Sequence, residues 1–258
     1  MPRFFVSRES IDREKGEIVL TGENAHHIST SLRMKPLDRL TVCDGERNEY
    51  DCVIASFDRE NVRAKIEERH ESASEPPFFA TIYQGLPKGD KLDAIIQKSV
   101  ECGASALVTF ESEFCVAREK SESSDRKLDR RRKIALEAAK QCGRGLVPEV
   151  LPTVGFAEAV RAASKADLPL FCYEGDGTLP LKALVRTRLS ENEKQGNIRA
   201  DAGLTVSVVI GSEGGFSARE AEFAKENGML MTGLGKRILR TETVSEFVLA
   251  ALVYELEM

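Results

Sequence analysis

A chain of 258 residues that is 41% hydrophobic and 31% charged has material for one large or two ordinary cores, which excludes a disordered or fibrous protein. The net charge of −5, from 37 basic and 42 acidic residues, argues against coating nucleic acid through a general basic excess and leaves only local patches for such contacts. No apolar run approaches the roughly 18 residues that span a bilayer, and the opening Met1-Pro-Arg-Phe-Phe-Val-Ser-Arg8 is too short an apolar run for a signal peptide, so a cytoplasmic protein is expected.

Residues 1–72 read as β-rich. Glu17–Thr21, Asp38–Cys43, Tyr50–Phe57 and Asn61–Glu67 are short apolar or alternating runs, separated by turn signals at Lys35-Pro36, Asp44-Gly45 and Asp58–Asn61. Short strands at this spacing predict a small barrel. Between them Glu23–Arg33 has a helical pattern with Asn24 as its candidate cap. His26 and His27 are adjacent and diverge on any regular element, a poor metal pair, so capping or core packing is the preferred reading and no metal site is expected. Ser72-Ala-Ser-Glu-Pro-Pro77 reads as a linker.

Beyond it strands and helices alternate. Phe79–Tyr83 is a predicted strand, followed by the loop Gln84–Asp90. Lys91–Cys102 is a helix with Leu92, Ile95, Ile96 and Val100 on one face and Gly103 as its stop. Ala106–Phe110, Val147–Leu151 and Leu168–Tyr173 are strands, and Leu128–Gln141, ended by Gly143, and Phe156–Ser164 are helices. This order predicts a mainly parallel sheet covered on both faces. Arg186–Asp201 is polar and reads as a loose surface insertion. Six cysteines, Cys43, Cys52, Cys102, Cys115, Cys142 and Cys172, form no CxxC pair and read as reduced thiols.

The last 55 residues carry the strongest signals. Leu204–Ile210 is a buried strand running into Gly211-Ser-Glu-Gly-Gly-Phe216, and Ser217 with Glu220 forms a capping box for the next helix. After Gly228-Met-Leu-Met231 comes Leu234-Gly-Lys-Arg-Ile-Leu-Arg-Thr-Glu-Thr243, with Thr243 and Glu246 as the box of the final helix. The glycine cluster matches neither common phosphate-loop pattern. By itself it reads equally well as a strand-to-helix turn. Paired with the second loop it offers backbone groups and an apolar slot for a flat heteroaromatic, with Arg237 and Arg240 left for an anion. The densest charge run, Arg126–Lys133, holds six basic residues against one acidic and is either a solvated helix face or a phosphate-contacting stripe.

Gly211–Ser217 together with Leu234–Thr243 resembles the motif pair of the SPOUT superfamily of RNA methyltransferases, and within it the 16S rRNA (uracil-N3) methyltransferase family. Pro2–Val6, His26–Arg33, Lys88–Asp93, Gln97–Gly103 and Arg132–Arg144 with Val147-Pro148 resemble further family segments in the same order. Ser212 stands where the family has proline, Cys142 where it has serine, and Glu111-Ser-Glu-Phe-Cys-Val116 departs from a more basic segment.

The resemblance implies an RNA-binding PUA-like β-barrel over residues 1–72 and a knotted methyltransferase domain over residues 73–258. That domain would be α/β, with a mainly parallel sheet and a C-terminal trefoil knot. A homodimer, S-adenosylmethionine as methyl donor and 16S rRNA of the small ribosomal subunit as partner are implied too, the target being N3 of the uridine at position 1498. A catalytically inert rRNA-binding assembly factor, or a relative acting on ribose 2′-OH or tRNA, are the alternatives. Donor contacts are expected from Tyr173, Glu174, Gly211, Glu213, Gly214, Leu234, Gly235, Ile238, Leu239 and Arg240. Arg240 is the first choice for stabilising a uracil anion, or else an ion-pair partner of Glu213 or Glu242. Glu213 is a candidate base or a cap for backbone N–H groups, and Arg144 a phosphate contact or a residue reaching across the dimer. Arg3, Arg33, Lys35, Arg130, Arg131 and Lys133 are the expected RNA contacts.

Overall fold

The computed structural model describes residues 1–119, 124–195 and 203–258. The chain forms two compact units, Met1–Glu75 with Ala139–Val147, and Pro76–Ala138 with Pro148–Met258.

The first unit is built on β1 (Arg3–Phe5), β2 (Ile11–Asp12), β3 (Glu17–Leu20), β4 (Arg39–Cys43), β5 (Asn48–Phe57) and β6 (Val62–Glu71). They make one six-stranded sheet in the order β1-β4-β5-β6-β3-β2, antiparallel except where β1 runs parallel to β4. Tyr50, Cys52 and Ile54 on β5, and Val62 and Ala64 on β6, are buried at a period of two, as a sheet with one wet face requires. A short helix, α1 (Gly22–His26), runs on into a π-helical turn, and Ala25 and Ile28 close the core beneath it. Asn24 does not cap this helix: Thr21 is at the N-cap, and the Asn24 amide donates instead to the Phe5 carbonyl at 2.8 Å. His26 and His27 are exposed, and the His27 ring meets Phe4 edge-on at 6.1 Å.

The second unit contains β7 (Phe78–Gly85), α2 (Lys91–Glu101), β8 (Ala104–Glu111), most of α3 (Ser124–Cys142), β9 (Glu149–Gly155), α4 (Phe156–Ala163) and β10 (Leu168–Cys172). It continues through β11 (Leu179–Pro180), α5 (Leu181–Gln195), β12 (Leu204–Ile210), α6 (Ala218–Glu226), β13 (Leu230–Gly233) and α7 (Thr241–Leu256). The seven strands pair in parallel throughout, in the order β11-β13-β10-β12-β7-β8-β9. β12 is the middle strand, and Val206–Ile210 are all buried, the continuous apolar run a strand covered on both faces needs. Phe110, Phe156 and Phe171 fill one side of the sheet. Among the described residues no helix is long and apolar enough to cross a membrane.

Two further expectations need correction. Residues 186–195 are helical, part of α5, so the polar stretch is not a loose insertion there; residues 196–201 lie outside the described ones. The two-residue strand β11 escaped notice altogether. Thr243 and Glu246 do not box the last helix: α7 begins at Thr241, with Arg240 at its N-cap and no side-chain cap. The Thr241 hydroxyl is used elsewhere.

In the first unit, Glu75 takes two hydrogen bonds from Arg144, at 3.3 Å from Nε and 2.6 Å from an Nη, and two from the backbone N–H groups of Gly145 and Leu146. Both side chains are almost wholly buried, at 3% and 2% exposed. Breaking such a pair from one side costs about 3–5 kcal/mol because a charge is stranded in a low-dielectric site. Glu75→Ala should therefore lower the unfolding free energy by at least about 3 kcal/mol in denaturant titration. A loss under about 1 kcal/mol would show that the first unit does not rely on this carboxylate.

Candidate active site

The C-terminal ends of β13, β10 and β12 lie side by side, and the segments that leave them enclose a cavity of about 880 Å³. That is the size of a small-molecule site, at the position where parallel sheets bind ligands. Its wall comprises residues 172–175, 210–216 and 233–241, with Lys91, Thr178, Glu242 and Val244.

The first loop is fixed at both ends. Gly215 N–H donates to the Ser212 carbonyl at 2.9 Å, closing a tight turn. The next residue, Phe216, drives its ring into the aromatic core, with its centroid 4.3 Å from Phe171 and 5.8 Å from Phe156. Ser217 and Glu220 then exchange the reciprocal bonds of the expected capping box. Glu220 is buried, and its other oxygen accepts the Glu113 backbone N–H at 2.8 Å.

The second loop is tied to the first through Thr241. Its hydroxyl donates to the Gly211 carbonyl at 2.6 Å and accepts from the Gln84 amide at 2.8 Å. One side chain thus joins the end of β7, the end of β12 and the start of α7.

Charge in the wall is sorted by burial. Lys91 Nζ lies 2.8 Å from Glu213 and 3.4 Å from Glu242, and Glu213 also accepts the Lys88 backbone N–H at 3.1 Å. Burial pushes the Glu213 carboxyl up, but the Lys91 ammonium and the N–H donors outweigh it and hold its pKa below the ordinary carboxylate value. Arg240 pairs with neither glutamate. The side chains of Lys236, Arg237 and Arg240 are exposed and make no ion pair or hydrogen bond among the described residues, and Ile238 beside them is 79% exposed. Cys172 has its thiol pushed up to about 12 by desolvation, so it stays protonated and is no nucleophile at neutral pH.

Every residue expected to touch a donor stands in this wall: Tyr173, Glu174, Gly211, Glu213, Gly214, Leu234, Gly235, Ile238, Leu239 and Arg240. Arg144 is not among the lining residues; it belongs to the first unit, bound to Glu75. Of the other expected cations, Arg33, Lys35 and Lys133 are exposed, and Arg130 is paired with Asp93. Arg3 is bound to Glu49 at 2.7 Å, and Arg131 is buried against Glu119 at 2.9 Å. Sequence reasoning missed Lys91, Phe216 and Thr241. Only the basic residue at the start of α2, the aromatic after the glycines and a second threonine, at the start of α7, hinted at them.

Residues 74–253 match the RNA methyltransferase domain family and residues 20–67 the RNA methyltransferase PUA domain family. Ribosomal RNA small subunit methyltransferase E of Bacillus subtilis is 32% identical over 100% of this chain and 98% of its own. A crystal structure of ribosomal RNA small subunit methyltransferase E from Neisseria gonorrhoeae bound to S-adenosyl methionine superposes with a TM-score of 0.78 at 29% identity, covering 99% of this chain and 98% of that one. A putative methyltransferase from Legionella pneumophila in complex with the bound cofactor SAM gives 0.79 at 26% identity, covering 98% and 97%.

Thr241→Val keeps the side-chain shape and removes both hydrogen bonds at the junction of the loops. It should cost about 1–3 kcal/mol of stability in denaturant titration, since two hydrogen bonds that reach three elements are lost while the Gly211 carbonyl keeps only the longer bond from the Gln84 amide, at 3.4 Å. An unchanged midpoint would show that the loops are held by other contacts.

Proposed function

Because the chain belongs to the ribosomal RNA small subunit methyltransferase E family, we propose that it moves the methyl group of S-adenosylmethionine to N3 of one uridine in 16S rRNA, at position 1498 as its sequence likeness implies. The observation that carries this reading is the cavity at three adjoining strand ends, beside a loop whose cations have no partners among the described residues. Its volume suits a nucleoside with an amino-acid arm. The backbone edges of Gly211, Gly214, Leu234 and Gly235 suit an adenine rim, and Ile238 and Leu239 offer apolar faces to its ring. Tyr173 and Glu174, past the end of β10, are assigned to the ribose. Bound there, the donor supplies an electrophilic methyl, and the protein's task is to align a nucleophile with it.

Uracil N3 carries a proton that must leave. Arg240 is assigned to hold the resulting negative charge, since a guanidinium is always protonated and this one pairs with no carboxylate among the described residues. Glu213 is a poor proton acceptor, because its lowered pKa and its bonds to Lys91 and Lys88 commit it to anchoring the glycine loop. Arg33, Lys35 and the exposed cations of α3 are assigned to rRNA phosphates, while Arg3, Arg131 and Arg144, each already in an ion pair, are assigned structural parts.

The trefoil knot and the homodimer belong to the same proposal. The knot is supported by Thr241, which brings the chain back against Gly211 and Gln84 after it has left β13. The dimer is supported by α7, an apolar helix that leaves Phe247 and Tyr254 exposed at 40% and 72%.

Labelled S-adenosylmethionine and small subunits lacking the modification should yield label on a uracil N3 by mass spectrometry; label on a ribose or on tRNA alone would replace this reading. Arg240→Ala should lower the transfer rate by about a hundredfold or more while donor affinity by calorimetry changes little. Wild-type turnover in that variant would remove Arg240 from the chemistry. Phe247→Asp with Tyr254→Asp should halve the sedimenting mass, and an unchanged mass would place any dimer contact elsewhere.

A further inference from the structure

We infer that Phe114 is the platform on which the target base stacks once it has left the RNA helix, an inference that rests on the uridine reading above. N3 lies on the edge a base uses for pairing, so the nucleotide must be presented alone, and an extruded pyrimidine needs a flat apolar partner in place of its lost neighbours. The aromatic rings in the cavity wall are committed inward: Phe216 lies 4.3 Å from Phe171, and Tyr173 packs on the same ring at 6.3 Å. Phe114 is 45% exposed, and its Cβ and carbonyl lie against Gly214 of that wall. A Cβ on Gly214 would meet the Phe114 Cβ at 2.8 Å and its carbonyl oxygen at 3.0 Å, so this glycine is what lets the two segments approach.

The ring's backbone is held firmly. On one side Glu113 donates its N–H to Glu220 at 2.8 Å and accepts the Ser217 hydroxyl at 2.7 Å. On the other, Cys115 N–H donates to the Ser112 carbonyl at 3.2 Å, and Cys115 is buried. A half-exposed phenylalanine adds little to a core, yet two bonds to the cap of α6 fix the segment that carries it. Lys236 and Arg237, exposed on the other loop, remain to meet the backbone of the extruded nucleotide.

The chain has no tryptophan, so F114W is a single fluorescent reporter at this position. Four variants, F114A, F114L, F114Y and F114W, would be compared with wild type for methyl transfer to undermodified small subunits. Fluorescence of F114W would be titrated with a short oligouridylate. Stacking on an aromatic is worth 1–3 kcal/mol per base, so F114A and F114L should lose roughly tenfold in kcat/KM, mostly through KM, with donor affinity unchanged. F114Y and F114W should stay within about threefold of wild type, and oligouridylate should quench the F114W signal. Wild-type kcat/KM in F114A, or F114W fluorescence that saturating oligouridylate leaves unmoved, overturns the assignment. If the wild-type chain methylates no subunit at all, the rRNA reading fails, and stacking then stands or falls on the fluorescence alone.

Discussion

The hydroxyl of Thr241, held between the Gly211 carbonyl and the Gln84 amide, is the contact on which the cavity depends. Neither loop has regular structure of its own to hold it, and a loop that must offer backbone groups to a ligand cannot spend them all on itself. Holding is therefore done from beneath. Phe216 roots the first loop in the aromatic core, and Thr241 ties the second to the first. The wall between these two points is free to present Gly211, Gly214 and Gly235 to whatever fills the cavity.

The electrostatics follow from the same arrangement. Lys91 stands between Glu213 and Glu242, at 2.8 Å and 3.4 Å, so these two carboxylates of the wall are offset by a cation brought from α2, while Glu174 is exposed. The arginines of the second loop are exposed and have no ion-pair partner among the described residues. In a chain with a net charge of −5, this local sorting is what makes an anionic partner at one face physically reasonable. Its attraction falls with ionic strength, because the cations are exposed.

The positions that depart from the resembled family sit at informative places. Ser212 is buried in the cavity wall, where its carbonyl closes the glycine turn, and a proline would keep that acceptor. Cys142 lies in the last turn of α3 with its sulfur 3.7 Å from the Ala139 carbonyl, a position that a small polar side chain fills equally well. The Glu111–Val116 segment changes the surface chemistry most. It carries an exposed ring, Phe114, while Glu113 is bound to the cap of α6.

The periodicity and turn chemistry of the sequence determined most of the elements, because burial at a period of two or 3.6 is written locally. They determined the central strand β12 and the box at Ser217 in the same way, since that cap is made by residues three apart. The start of α7 was not legible. Thr243 with Glu246 has the spacing of a cap, and only the distant Gly211 and Gln84 decide that the helix opens at Thr241 with its hydroxyl engaged elsewhere. The basic run was equally ambiguous: Arg131 turns inward because Glu119 awaits it, while Lys133, two residues on, is exposed. Arg144 is buried because Glu75, 69 residues earlier, provides a carboxylate with two backbone N–H groups already aimed at it. Pattern along the chain fixes which residues are apolar, capped or charged. Which charge is matched and which is left to act is settled by partners that only folding brings within hydrogen-bond reach.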